Sequence, residues 1–144
     1  MDFFLDSAEL DEISRFQELG VIDGVTTNPS LIYKSKKPFR ELVADICETI
    51  KGPVSVEAVS GSYDKLVQEG LELAKIASNV VVKLPMTWEG IKACKRLSEN
   101  NIPVNITLCF SANQAILAAK VGAAYVSPFI GRLDDSNLDG VKLI

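Results

Sequence analysis

The segment NVVVKLPMT, residues 79–87, runs three valines straight into an amine, Lys83. Val80, Val81 and Val82 read as a buried strand, and lysine is rarely fully buried unless it is paired. An amine held among apolar strand residues loses hydration in its charged form, which makes the free base accessible. A free amine attacks a carbonyl and forms a Schiff base. The iminium that results is an electron sink, so a carbon–carbon bond beside it can break or form. Such chemistry needs carboxylates to move protons, and Asp6 and Glu57 are available. A polyol substrate needs hydroxyl and amide partners, which Thr26, Thr27, Asn28, Asn105, Thr107 and Ser127 can supply. Arg132 suits a phosphate, which a guanidinium grips with two parallel N–H groups.

One arrangement would bring these residues together. FFLD, residues 3–6, is a short strand, and Leu10, Ile13, Phe16 and Leu19 follow at helical spacing before Gly20. DGVTTNP is a turn and second strand. The helix of ELVADICETI sets Leu42, Val43, Ile46 and Ile50 on one face and stops at Gly52 and Pro53. PVSVEAV is a third strand. A helix over DKLVQEGLELAKIA carries two small or apolar rows: Leu66, Gly70, Ala74 and Ala77, and Val67, Leu71 and Ala74. NVVVKLP is the fourth strand, and Thr87 caps a helix whose face includes Ile91, Cys94 and Leu97. PVNITL is the fifth strand. Ser111 and Gln114 have capping-box spacing for the helix that Gly122 ends, and AYVSPF is the sixth strand.

Strands recurring every 20–30 residues or so, each followed by a helix, imply a parallel sheet with crossover helices. A doubly wound nucleotide fold would carry a Gly-rich turn after its first strand. FFLDSAEL has no glycine there, and no G-x-G-x-x-G occurs in the chain. The fold expected is therefore an α/β (β/α)8 barrel, with about six of eight strand–helix units in one domain, residues 1–144. A full barrel takes about 200 residues or more, so the chain reads as the N-terminal portion of a longer protein. The alternative is an open sheet of six strands. In a barrel, chemistry sits at the C-terminal strand ends, and all six strands deliver polar residues there.

Each of these residues also has a purely structural reading. Asp6 could cap the first helix with Glu9 three residues on, and Asn28 before Pro29 could start a turn. Glu57 and Lys83 could form a structural ion pair across neighbouring strands. Thr107 suits a strand through its β-branch, and Arg132 could be an ordinary surface cation. DSNLDG, residues 135–140, matches the first half of a calcium loop. The closing glutamate would fall beyond residue 144 and a strand precedes the segment, so it reads as a solvated acidic loop.

Composition narrows the function classes. The chain has no histidine, which excludes Ser-His-Asp and Cys-His nucleophile systems and histidine-based metal sites. A net charge of −4 argues against nucleic acid or an anionic membrane as the main partner. No apolar run approaches the ~20 residues of a membrane span, and the acidic N-terminus is unlike a signal peptide. Cys47, Cys94 and Cys109 are far apart and read as small apolar residues in a reducing cytoplasm.

The segments LDS, GVTTNPSLI, VSVEAVS, VVVKLPMTWEGIKA and NITLCFSANQAILAAKVGAAYVSPFIGRLDD together resemble the transaldolase family. They are most similar to its short, single-barrel branch, which also contains fructose-6-phosphate aldolase. The resemblance implies that Lys83 is the Schiff-base lysine and Asp6 the general acid/base for cleavage of the C3–C4 bond. It implies that Glu57 and Thr107 hold a catalytic water. Asn28 and Asn105 match residues that contact substrate hydroxyls and the bound intermediate. Thr26 and Ser127 belong to the same substrate-binding set, and Arg132 is expected at the sugar phosphate. Phe129 and Glu57 both match transaldolase, where the aldolase has tyrosine and glutamine. That favours transfer of a dihydroxyacetone unit over simple release.

By the resemblance the donors are sedoheptulose 7-phosphate and fructose 6-phosphate, and the acceptors glyceraldehyde 3-phosphate and erythrose 4-phosphate. The setting is the pentose phosphate pathway in the cytoplasm, and no metal or organic cofactor is required. Family members continue through two further strands and C-terminal helices that serve oligomer assembly. The full-length protein is thus expected to be a homo-oligomer. The 144-residue chain alone is expected to turn over poorly.

Overall fold

A computed structural model describes residues 1–144. Strand β1 (Phe4–Asp6) leads to helix α1 (Leu10–Glu18) and strand β2 (Gly24–Thr26). Helices α2 (Pro29–Lys34) and α3 (Phe39–Thr49) precede β3 (Val54–Glu57). Then α4 (Tyr63–Ala74), β4 (Val80–Pro85), α5 (Trp88–Ser98), β5 (Val104–Cys109), α6 (Ala112–Lys120) and β6 (Tyr125–Pro128) alternate. Helix α7 (Ile130–Asp135) and a 3-10 turn at Gly140–Leu143 follow. All six strands are parallel and lie in chain order in one sheet. The sheet curls into a half-barrel. Phe4 and Tyr125, on its two edge strands, meet edge to face with ring centroids 5.6 Å apart. This is the partial (β/α)8 architecture that the alternation of elements predicts.

The strands divide their residues by parity, because successive side chains point to opposite faces. Val54, Val56, Val80, Val82, Leu84, Val104 and Ile106 are buried under the helices. They join Ile13, Leu42, Ile46, Leu66 and Leu97 in one cluster of 22 buried apolar residues. Full burial of each such side chain is worth about 1.5–3 kcal/mol, against about 0–1 kcal/mol for an exposed ion pair such as Lys37–Asp45. The cluster therefore holds the fold, and the opposite face is left to Ser55, Glu57, Lys83, Asn105 and Thr107. Helix α4 approaches closely because Gly70 has no side chain. A Cβ there would lie 2.5 Å from Cδ1 of Leu97.

Side-chain caps place three of the seven α-helix starts, those of α2, α5 and α6. The Thr87 hydroxyl accepts the Gly90 N–H at 3.0 Å and starts α5. Ser111 accepts the Gln114 N–H at 3.2 Å and starts α6. Gln114 reaches back to the Phe110 N–H, one residue earlier than a standard capping box would. Asn79 shares its side-chain amide among the carbonyls of Cys47, Ile50 and Gly52, tying the end of α3 to the start of β4. Gly122, at φ +93°, ends α6 in the left-handed region.

The structure differs from the sequence reading in several places. Helix α2 was not expected; Asn28 caps it, accepting the Leu31 N–H at 3.0 Å, with Pro29 at its first position. Gly52 does not cap α3. It is required because a Cβ would lie 1.6 Å from the Asp23 carbonyl oxygen. Leu71 and Leu19 are exposed, and α4 instead buries Leu66, Gly70 and Leu73. Steps of three residues alone drift off a 3.6-residue helix face. Residues 135–140 form the end of α7 and a turn in which Asp134 accepts the Gly140 N–H.

Candidate functional site

Register alone gathers the polar residues. Glu57 pairs with Lys83, Lys83 with Asn105, Asp6 with Thr26, and Thr26 with Ser55, each across one strand boundary. Parallel neighbours in register point to the same face, so these side chains converge inside the curl. A cavity of ≈ 600 Å³ opens at the C-terminal strand ends. Eight of the ten candidate residues line it: Asp6, Thr26, Asn28, Glu57, Lys83, Ser127, Phe129 and Arg132. Asn105 and Thr107 are the two that do not, and both are buried.

Lys83 is only 6% exposed. Its Nζ lies 3.3 Å from Glu57 Oε2 and donates to the Thr27 carbonyl at 3.1 Å. That carbonyl is itself held in place. The Thr27 N–H and hydroxyl both donate to the Ser55 carbonyl, at 3.0 and 2.8 Å. The structural ion pair weighed from sequence is therefore present. It is also compatible with chemistry, since the Thr27 carbonyl is the one hydrogen-bond partner of the amine and the cavity lies beside it.

Asp6 does not cap α1. Glu9 occupies the cap position without a side-chain bond, and Asp6 Oδ1 accepts the Thr26 hydroxyl at 2.8 Å. The partner across the strand boundary wins over the local one, leaving Asp6 exposed at the cavity wall. Asn28 uses its oxygen to cap α2, which leaves its NH2 group for the cavity. Asn105 is clamped: its NH2 donates to the Ser55 hydroxyl and its oxygen accepts the Ser127 hydroxyl, both at 3.0 Å. The Thr107 hydroxyl is buried and has no partner. Just beyond it, the β5–β6 register shifts between Ile106 and Cys109, and Leu108 takes φ +59°. A leucine in that region is uncommon and marks a bulge at the end of β5.

On the β6 side, Phe129 packs edge to face on Phe110 with centroids 5.6 Å apart. Arg132 reaches Asp135 at 3.5 Å, with its side chain 73% exposed. Ser55 was not singled out by sequence as site-forming, and Thr27 was read only as a hydroxyl partner at a strand end. Ser55 sits two residues before Glu57 on the same strand face, a signal that was available. The part Thr27 plays through its backbone carbonyl leaves no mark in residue type. The cysteines stand apart from this chemistry: burial pushes the Cys47 and Cys94 thiols up to about 11, so they stay protonated.

Comparison with known proteins places this geometry. The Transaldolase/Fructose-6-phosphate aldolase family profile matches residues 3–144. A probable transaldolase of Hyphomonas neptunium (strain ATCC 15444) is 59% identical over the whole chain, which covers 67% of that protein. A probable transaldolase of Jannaschia sp. (strain CCS1) is 57% identical, again over the whole chain and 66% of its own length. The chain thus spans about two thirds of the length of these relatives. Among solved structures, the carboxyl transferase domain of Rhizobium etli pyruvate carboxylase with oxamate and biotin aligns with a TM-score of 0.58 at 15% identity. It covers 85% of this chain and 26% of that one, a likeness of fold alone.

Proposed function

The chain belongs to the transaldolase/fructose-6-phosphate aldolase family, and from that premise we propose that it carries the Schiff-base machinery for moving a dihydroxyacetone unit between sugar phosphates. One observation carries the reading: a buried lysine at the C-terminal rim, held between Glu57 Oε2 and the Thr27 carbonyl. When Lys83 passes one proton through water to the Glu57 carboxylate, it keeps its hydrogen bond to the Thr27 carbonyl, and its lone pair becomes available to a carbonyl in the cavity. That pair attacks the ketose carbonyl carbon, and the carbonyl oxygen leaves as water once protonated. The orphaned Thr107 hydroxyl and the Glu57 carboxylate supply partners for that water.

Asp6 then takes the proton of the C4 hydroxyl, the C3–C4 bond breaks, and its electron pair moves into the iminium to give an enamine. The aldose phosphate departs. Transfer runs the same steps in reverse onto an acceptor aldehyde, with Asp6 returning the proton. Asn105, fixed between Ser55 and Ser127, and the free NH2 of Asn28 orient the three-carbon unit. Arg132 takes the phosphate. The donors and acceptors are the sugar phosphates named above. The second reading, cleavage of fructose 6-phosphate without an acceptor, is disfavoured by Glu57 and Phe129.

No helix is long and apolar enough to cross a membrane, and the reading places the protein in the cytoplasm, oligomeric when full length. Borohydride reduction with fructose 6-phosphate tests the proposal: a substrate-dependent mass increase on Lys83 is expected. Its absence, in this chain and in a chain of the relatives' full length, would sink it.

A further inference from the structure

A second cavity, ≈ 880 Å³, lies on the other side of Asn28 and Glu57, between α2 and the end of β3. Asn28, Pro29 and Glu57 line both cavities. The second is walled by Ile32, Tyr33, Phe39 and Val59, of which Tyr33 is 86% and Val59 68% exposed. Ligand sites have volumes of about 300–1,000 Å³ and combine apolar walls with a few convergent polar groups. Five charged side chains line this cavity: the carboxylates Glu57 and Glu69 and the cations Lys34, Lys36 and Lys37.

The charge balance decides what such a ligand would be. Glu57 is engaged by Lys83, and Glu69 by the N–H groups of Val59 and Ser60. Lys37 pairs with Asp45 at 3.2 Å. Lys34 and Lys36 have no carboxylate within ion-pair distance. Lys36 also holds φ +58°, a conformation a lysine rarely adopts, at the turn between α2 and α3. Two unpaired cations beside two aromatic rings call for an anion with a flat apolar body.

We propose that this cavity is a second ligand site, distinct from the Lys83 cavity, for a small aryl or nucleoside monophosphate. The phosphate sits at Lys34 and Lys36, and the ring lies against Tyr33, Phe39 and Val59. The occupant touches the far side of the carboxylate that holds Lys83, so binding alters the reactivity of that amine. This coupling rests on the proposed Schiff-base function, but the binding does not, and binding is what the test reads.

The probe is phenyl phosphate, titrated into the chain and followed by calorimetry, with inorganic phosphate and phenol as separate arms. One saturable site is expected for phenyl phosphate, weaker by about tenfold or more in the Lys34→Gln/Lys36→Gln double variant. Tyr33→Ala should weaken it by about threefold, and Arg132→Gln should leave it unchanged. Three results would overturn the proposal: no saturation by about 10 mM, equal affinity for inorganic phosphate, or loss in Arg132→Gln but not in the lysine variant. The lysine substitutions lie on the exposed surface, so a failure to bind is not a failure to fold. A Schiff base that forms while phenyl phosphate fails to bind would separate this proposal from the functional reading.

Discussion

The two halves of the rim are built differently. On β3, β4 and β5 the polar side chains are set by strand register, and all but the Thr107 hydroxyl are held by neighbours: Lys83 on Glu57 and Thr27, Asn105 on Ser55 and Ser127. On the edge strands the same rim is loose. Asp6 has one hydroxyl partner and is exposed, and Arg132 stands in solvent beside Asp135. A central strand has neighbours on both sides, so its inward residues meet partners fixed by two ladders. An edge strand has one. The half that holds the proposed nucleophile is thus the half the sheet makes rigid, while the half proposed to receive sugar hydroxyls and phosphate can adapt.

Substitutions should grade along this division. Lys83→Met should abolish the borohydride adduct outright, as read by mass spectrometry. Asn105→Leu strips partners from two hydroxyls, of which that of Ser55 is buried. It should cost about 2–3 kcal/mol in urea unfolding, at about 1–3 kcal/mol per unsatisfied buried group. Thr26→Val, which frees Asp6 on the edge strand β1, removes only the bond to that exposed carboxylate and should cost no more than about 1 kcal/mol. Arg132→Gln should change stability by under about 0.5 kcal/mol. An edge variant as costly as Asn105→Leu would erase the distinction. Smallest of all, iodoacetamide at pH 8 should leave Cys47 and Cys94 unmodified in the folded chain. With thiols near 11, about one in a thousand is thiolate at that pH.

Lys83 and Glu57 were legible because each puts a charge at the end of an apolar strand, although Val81, on the inward face with Lys83, hides the alternation. The fold followed from the recurring strand–helix unit. Other features were hidden for physical reasons. Helix α2 has six residues, too few to show an apolar period, although Asn28 and Pro29 carried its cap and first turn. Asp6 looked like a helix cap because only its local partner, Glu9, is visible in sequence; Thr26 lies twenty residues away. Ser55 passed unnoticed although it shares a strand face with Glu57, because its partner Asn105 lies two strands and fifty residues away. Backbone groups such as the Thr27 carbonyl exist at every position and acquire meaning only in space.

The sheet order has a further consequence, for how the molecule assembles. Each strand pairs only with the strands before and after it in the chain. Closing a crossover of ~20–30 residues costs little more entropy than closing a shorter one. Short separations between contacting residues also speed folding. Each strand docks on an edge formed by the strand before it in the chain. Glu57 lies on the edge that β4 pairs with. The buried amine therefore meets its counter-charge as soon as β4 docks, and the least protected intermediate is the one with a bare edge, not one with a bare charge.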